Sequence, residues 1–108
     1  MEIEVRFILQ EANKAVANRG TDYGKPSENF DRIAELWGGY IGISFQAEDV
    51  GIMMMMVKIS RIMETPNHVD SWVDIAGYAA ITAEAIAEIE DTLHHHEDQQ
   101  STDSTTQD

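Results

Sequence analysis

The stretch that most constrains the fold is Glu48 to Glu64, EDVGIMMMMVKISRIME. Wound as a helix, it carries Ile52, Met53, Met56, Ile59 and Met63 over one half of its surface. Val50, Met54, Met55, Val57 and Ile62 cover much of the other half. A helix that is apolar nearly all round belongs at the buried centre of a bundle. Apart from Ser60, its middle is interrupted by Gly51, Lys58 and Arg61, which fall within about a quarter-turn of one another at 3.6 residues per turn. Cations on a buried notch need partners, because unpaired buried charge is costly. Asp70 and Asp74, one turn apart on the next helix, are the expected suppliers.

The chain has 108 residues, 43% of them hydrophobic, which is enough for one domain with a modest core. Six methionines, four of them consecutive, suit an adaptable interior. No cysteine is present, so disulfides, thiolate metal sites and cysteine nucleophiles are excluded. The start of the chain, Met1 to Phe7, is charged and alternating, unlike a signal peptide. The apolar run at 50–57 is too short to cross a bilayer. These features lead us to expect a cytoplasmic protein with no membrane partner.

The net charge of −13 is unevenly placed. Residues 1–83 hold 12 acidic and all 7 basic side chains, and residues 84–108 hold 8 acidic side chains and no Lys or Arg. A mildly acidic body with an acidic tail lacks the basic footprint that nucleic-acid phosphates require. An acidic surface can mimic nucleic acid toward a basic partner, although most acidic proteins do not.

Read in order, the pattern gives four helices and no required strand. The first spans Glu2 to Asn18 and ends at Gly20; residues 21–26 form a loop punctuated by Gly24 and Pro26. Ser27 is a good N-cap for a second helix to about Tyr40, with Phe30, Ile33, Ala34, Trp37 and Ile41 on one stripe and Gly42 as its stop. Ser44 can cap the third helix, which closes at Thr65-Pro66. The fourth runs from about Asn67 to Leu93. Its first half offers Val69, Trp72, Val73, Ile75, Ala76 and Ala79. Its second half carries Ile86, Ile89 and Leu93 and exceeds what a four-helix core needs, which suggests packing on another subunit. The fold class is therefore all-α: a four-helix, bundle-like domain over residues 1–93, with a long C-terminal helix. Residues 94–108 form a polar, acidic tail expected to be disordered.

Several side-chain sets carry chemistry, each with a plainer alternative. Asp70 and Asp74 at i and i+4 face one way, and either bind Mg²⁺ or hold Lys58 and Arg61 in structural ion pairs. Tyr78 lies one further turn along that face. Glu28, Asp31 and Glu35 form a second acidic stripe, which either completes a carboxylate-rich metal site with Asp70 and Asp74 or is a solvated helix face. His94, His95 and His96 offer at most an adventitious metal site. His68 stands alone, without a role. Tyr23, with Gly24, Pro26 and Asn29, either stacks a base or sugar or covers the core edge. No phosphate-binding glycine loop, nucleophile elbow or zinc spacing is present.

The order YGKPSENFDRIAELWGGYIG, EDVGIMMMMVKISR and DSWVDIAGYAA, over about residues 19–83, resembles a small family of phage- and prophage-encoded proteins. That resemblance implies a phage or prophage origin and so the cytoplasm of an infected or lysogenic bacterium. More distantly, DIAGYA resembles the last acidic motif, D..DL..YA, of MazG-like all-α nucleoside triphosphate pyrophosphatases. Their hallmark is an E-E-x-x-E helix paired with E-x-x-D, both binding Mg²⁺. Here Glu48-Asp49 is followed by Ile52 and Met53, and the fourth helix has D-x-x-x-D.

This resemblance implies a nucleotide-handling protein. If it is an enzyme, it would be a Mg²⁺-dependent pyrophosphohydrolase with Asp49, Asp70 and Asp74 on the metal. Lys58 and Arg61 would then be catalytic, neutralising phosphate charge in the transition state. Tyr23, Asn29 and Tyr78 would contact the substrate. One alternative is a protein that binds a nucleotide without turnover. Another is an acidic inhibitor of a host factor acting through Glu84, Glu88 and Glu90. A homo-oligomer through the fourth helix fits all three.

Overall fold

The computed structural model describes the backbone of residues 4–107 and the side chains of residues 4–19 and 24–93. The chain forms four helices and, among the described residues, no strand: α1 (Val5–Tyr23), α2 (Pro26–Ile41), α3 (Ala47–Glu64) and α4 (Val69–Gln107). The expectation for His94, His95 and His96 falls on side chains outside the described residues, while the backbone of α4 continues past the expected end at Leu93 to Gln107.

The local signals that set the helix ends differ in part from those first read. Gly20 does not end α1, which continues through Thr21 and Asp22 to Tyr23. The break comes at Gly24, whose φ of 73° suits glycine, followed by a Lys25-Pro26 step that disfavours further helix. Pro26, not Ser27, opens α2, with its fixed φ in the first turn and Lys25 as the N-cap. Gly42 does stop α2: at φ 88° its N–H donates to Gly38 O at 2.8 Å. At the start of α3 the cap is Gln46, not Ser44. Its N–H donates to Asp49 Oδ2 at 2.8 Å, while Asp49 N–H donates to Gln46 O at 3.1 Å.

The core is shared by three helices. Phe30 and Ala34 come from α2, Ala47 and Val50 from α3, and Ile81 and Ala85 from α4. Val16 of α1 packs on its flank, with Trp37, Phe45, Met54, Tyr78 and Ile89. Trp37 and Phe45 meet edge to face, with ring centroids 6.0 Å apart. Small buried residues let the helices approach closely. Among the described glycines the tightest fit is at Gly51, where a Cβ would collide with Thr82 Oγ1 and lie 2.8 Å from Thr82 Cβ and Cγ2.

α4, not α3, is the central helix: it packs against α1, α2 and α3. This corrects the expectation from the apolar run. α3 buries Ala47, Val50 and Gly51 against its neighbours. Its opposite side leaves Ile52 43%, Met56 59%, Ile59 43% and Met63 79% exposed. Helical periodicity states which faces are apolar, but a single chain of this topology has only enough helices to cover one of them. The buried face of α4 is also rotated from the expected one. Ser71, Val73, Gly77, Ile81, Thr82 and Ala85 are buried, whereas Trp72, Ala79, Ile86 and Leu93 are exposed.

Substituting Gly51 by Ala should therefore lower unfolding free energy in urea by about 1–3 kcal/mol, the usual range for overpacking. Thr82→Ala in the same chain should recover part of that loss, because it removes Oγ1 and Cγ2 from the point of collision. Simple additivity of the two substitutions would show that the crossing is not as close as the structure places it.

Candidate functional site

Because α3 and α4 run antiparallel, the Gly51–Thr82 contact places Lys58, two turns along α3, beside Asp74, two turns back on α4. Lys58 Nζ lies 3.0 Å from Asp74 Oδ2. The lysine side chain is 15% exposed and the carboxylate 39%, so the pair sits at the edge of the core. This is the ion pair expected from the sequence. Arg61 and Asp70 are both exposed, and no ion pair among the described residues joins either to this one.

On the α1 side of α4, a cavity of about 260 Å³ is bordered by Asn18, Arg19, Asp74 and Tyr78, with Val16 and Ile81 among its apolar walls. A second hollow of about 490 Å³ shares Val16, Arg19 and Ile81, and adds Lys25, Glu84 and Glu88. Arg19 thus stands at the join, its guanidinium carbon 5.5 Å from the centroid of the Phe30 ring. At the expected end of the first helix, Asn18 and Arg19 are not singled out by the sequence as site residues. The signal was present: Ala15, Val16 and Arg19 continue the 3–4 spacing, and α1 runs one turn beyond Gly20.

The remaining candidates are dispersed. Asp49 is spent on the cap of α3, and Gly51 beside it is level with Thr82, about 12 Å along the axis from Asp74 at 1.5 Å per residue. Asp70 is exposed in the first turn of α4. Asp49, Asp70 and Asp74 are therefore not brought together. Glu28, Asp31 and Glu35 are exposed, and Glu28 and Asp31 border a hollow with Glu88 and Asp91 rather than with Asp70 and Asp74. Among the described residues, no group of three or more His, Asp or Glu is placed to hold a metal ion. The donor set does not fit Mg²⁺.

Asn29 is half-buried in the first turn of α2, where its N–H donates to Lys25 O at 3.1 Å. It does not border the α1–α4 cavity. Tyr23 closes α1, and its side chain lies outside the described residues. Glu84 and Glu90 are exposed, whereas Glu88 Oε1 accepts the N–H of Ser27 at 3.0 Å and so caps α2 from α4. His68 also has a structural role. Its Nδ1 is 2.7 Å from the Oγ of fully buried Ser71, and Trp72 Nε1 donates to Pro66 O at 2.8 Å, which together fasten the α3–α4 turn.

The fold and the cavity together define an all-α protein with a small polar-and-apolar cleft beside its central helix. The chain belongs to the family described as "Domain of unknown function (DUF6378)", whose model matches residues 7–86. It is similar to the Gene 55 protein of Mycobacterium phage L5, 49% identical over 76 residues, which cover 68% of this chain and 49% of that one. It is also similar to the Gene 55 protein of Mycobacterium phage D29, 42% identical over 73 residues, covering 67% and 48%. The chain thus spans about half the length of these relatives. No solved structure matches it. Among the described residues, no helix is long and apolar enough to cross a membrane. The expected kinship with phage-encoded proteins is borne out.

Since Asp74 is partly solvated, Asp74→Asn should cost about 1–2 kcal/mol in urea unfolding, between the values for exposed and fully buried pairs. Lys58→Met should cost less, because it leaves no ammonium stranded at the core edge. Equal losses for the two variants would show that Lys58 finds another partner or water when Asp74 is neutralised.

Proposed function

We propose that this protein binds a small anionic ligand of the nucleotide class in the α1–α4 cleft, without hydrolysing it. The observation that carries this is Arg19 at the join of two adjoining hollows. A guanidinium is planar, always charged and matched to phosphate oxygens. Lys25 supplies a second cation on the same side. Val16 and Ile81 give apolar wall for a base or sugar, and Asn18, Tyr78 and Asp74 offer polar groups to its edges. Few polar groups on apolar walls is the usual make-up of a ligand cleft.

The ligand class also draws on the resemblance of DIAGYA, which contains Asp74 and Tyr78, to MazG-like nucleoside triphosphate pyrophosphatases. Binding is favoured over hydrolysis because the carboxylates that a divalent metal would need do not converge. Lys58 then acts through Asp74: by pairing with it, the ammonium holds the carboxylate against one wall of the cleft.

Thermal unfolding in the presence of nucleoside mono-, di- and triphosphates, with and without Mg²⁺, provides the test. A ligand of the folded state raises the midpoint by mass action. The expected outcome is a metal-independent rise with at least one nucleotide, weakened about tenfold or more in affinity by Arg19→Met. Tyr78→Phe should weaken it less, since one hydroxyl contributes about 1 kcal/mol. No rise with any nucleotide, or a rise untouched by Arg19→Met, would remove this function. A rise that requires both triphosphate and Mg²⁺ would overturn the metal-free form of it.

A further inference from the structure

We propose that α3 is a dimerisation helix, its outward face packing antiparallel against the same face of a second copy of this chain. Ile52, Met56, Ile59 and Met63 are spaced 4, 3 and 4 residues apart and form one straight stripe, the seam spacing of packed helix pairs. All four point away from α4, and all four are exposed. Sequence patterning normally removes such a stripe from a monomer's surface. Here it persists on a helix whose other side is already buried.

The occupant follows from the stripe itself. The spacing 4–3–4 reads the same in both directions, so a two-fold axis passing between Met56 and Ile59 is self-complementary. It sets Ile52 against the partner's Met63 and Met56 against the partner's Ile59. Each stiff β-branched side chain then meets a flexible thioether, which adapts to its shape. The four side chains expose on the order of 400 Å² of apolar surface per copy, and two copies with the adjoining edge of Met55 approach the roughly 1,000 Å² that a specific interface needs. No Lys, Arg, Asp or Glu lies within the stripe to oppose desolvation.

The long α4, first expected to carry association, is a poorer candidate. Its exposed apolar positions Ile86 and Leu93 are separated by the charged Glu90. A dimer through α3 also accounts for the original paradox of the sequence. A helix apolar on both faces would be central, but in the pair rather than in the single chain.

Sedimentation equilibrium of the full chain over a concentration series tests the proposal. The unaltered chain should dimerise. Met56→Lys and Ile59→Glu should each weaken dimerisation about a hundredfold or more, while circular dichroism and the unfolding midpoint of the monomer stay intact, since both positions are already in water. Mixing the two variants should restore a heterodimer, because the antiparallel arrangement places Lys at 56 of one chain against Glu at 59 of the other. Leu9→Glu and Ile86→Glu, on other exposed faces, should leave the dimer unchanged. A monomeric unaltered chain would overturn the proposal and point to another occupant, such as the further length that the phage relatives possess. A dimer that survives Ile59→Glu would overturn it as well. Restoration absent from the mixture would overturn the antiparallel register.

Discussion

The contact between Gly51 of α3 and Thr82 of α4 sets the depth at which the two principal helices meet. Without a Cβ on Gly51, the α3 backbone settles onto the Thr82 side chain, and everything along the crossing takes its register from that point. Two turns away the same register brings Lys58 to Asp74. On the near side it aligns Val50 with Ile81 and Ala85, which close over Phe30 of α2. Thr82 Oγ1 is buried with no hydrogen-bond partner among the described residues. An unsatisfied hydroxyl at a tight crossing is a cost the fold accepts for that proximity.

Around this crossing, polar groups secure the helix ends rather than the middle. Glu88 reaches from α4 to cap α2, across 61 residues of sequence. Asp49 caps its own helix through Gln46, and His68 holds buried Ser71 at the start of α4. Each satisfies a backbone or hydroxyl group that would otherwise be stranded at a helix terminus. The acidic excess of the chain is thus partly structural. Of the carboxylates that read as possible metal ligands, Asp49 is engaged as a cap and Asp74 pairs with Lys58, while Asp70 is exposed, and they do not gather at one centre.

The cleft beside α4 and the outward face of α3 lie on opposite sides of this framework. One combines a guanidinium, an ammonium, a phenol and the carboxylates of Asp74, Glu84 and Glu88 with apolar walls. The other is wholly apolar. The proposed ligand cleft and the proposed self-association face can accordingly be tested by separate mutations. Relatives encoded by mycobacteriophages are about twice as long as the matched region.

The linear pattern of residues was sufficient for the all-α class, the number of helices and the stop at Gly42, and it offered the pairing of Lys58 with Asp74 as one of two alternatives. Each depends on interactions within a turn or two, or on the chemical need of a buried cation for an anion. It was not sufficient for the identity of the central helix, for the rotation that buries Ser71 and Thr82 while exposing Trp72, or for the diversion of Asp49 and Glu88 into caps. Nor could it place Arg19 between two hollows, since those walls come from helices more than fifty residues apart. Periodicity is a property of one helix and assigns an apolar face by itself. Burial is a property of two surfaces in contact, and only the packed tertiary structure decides which faces meet.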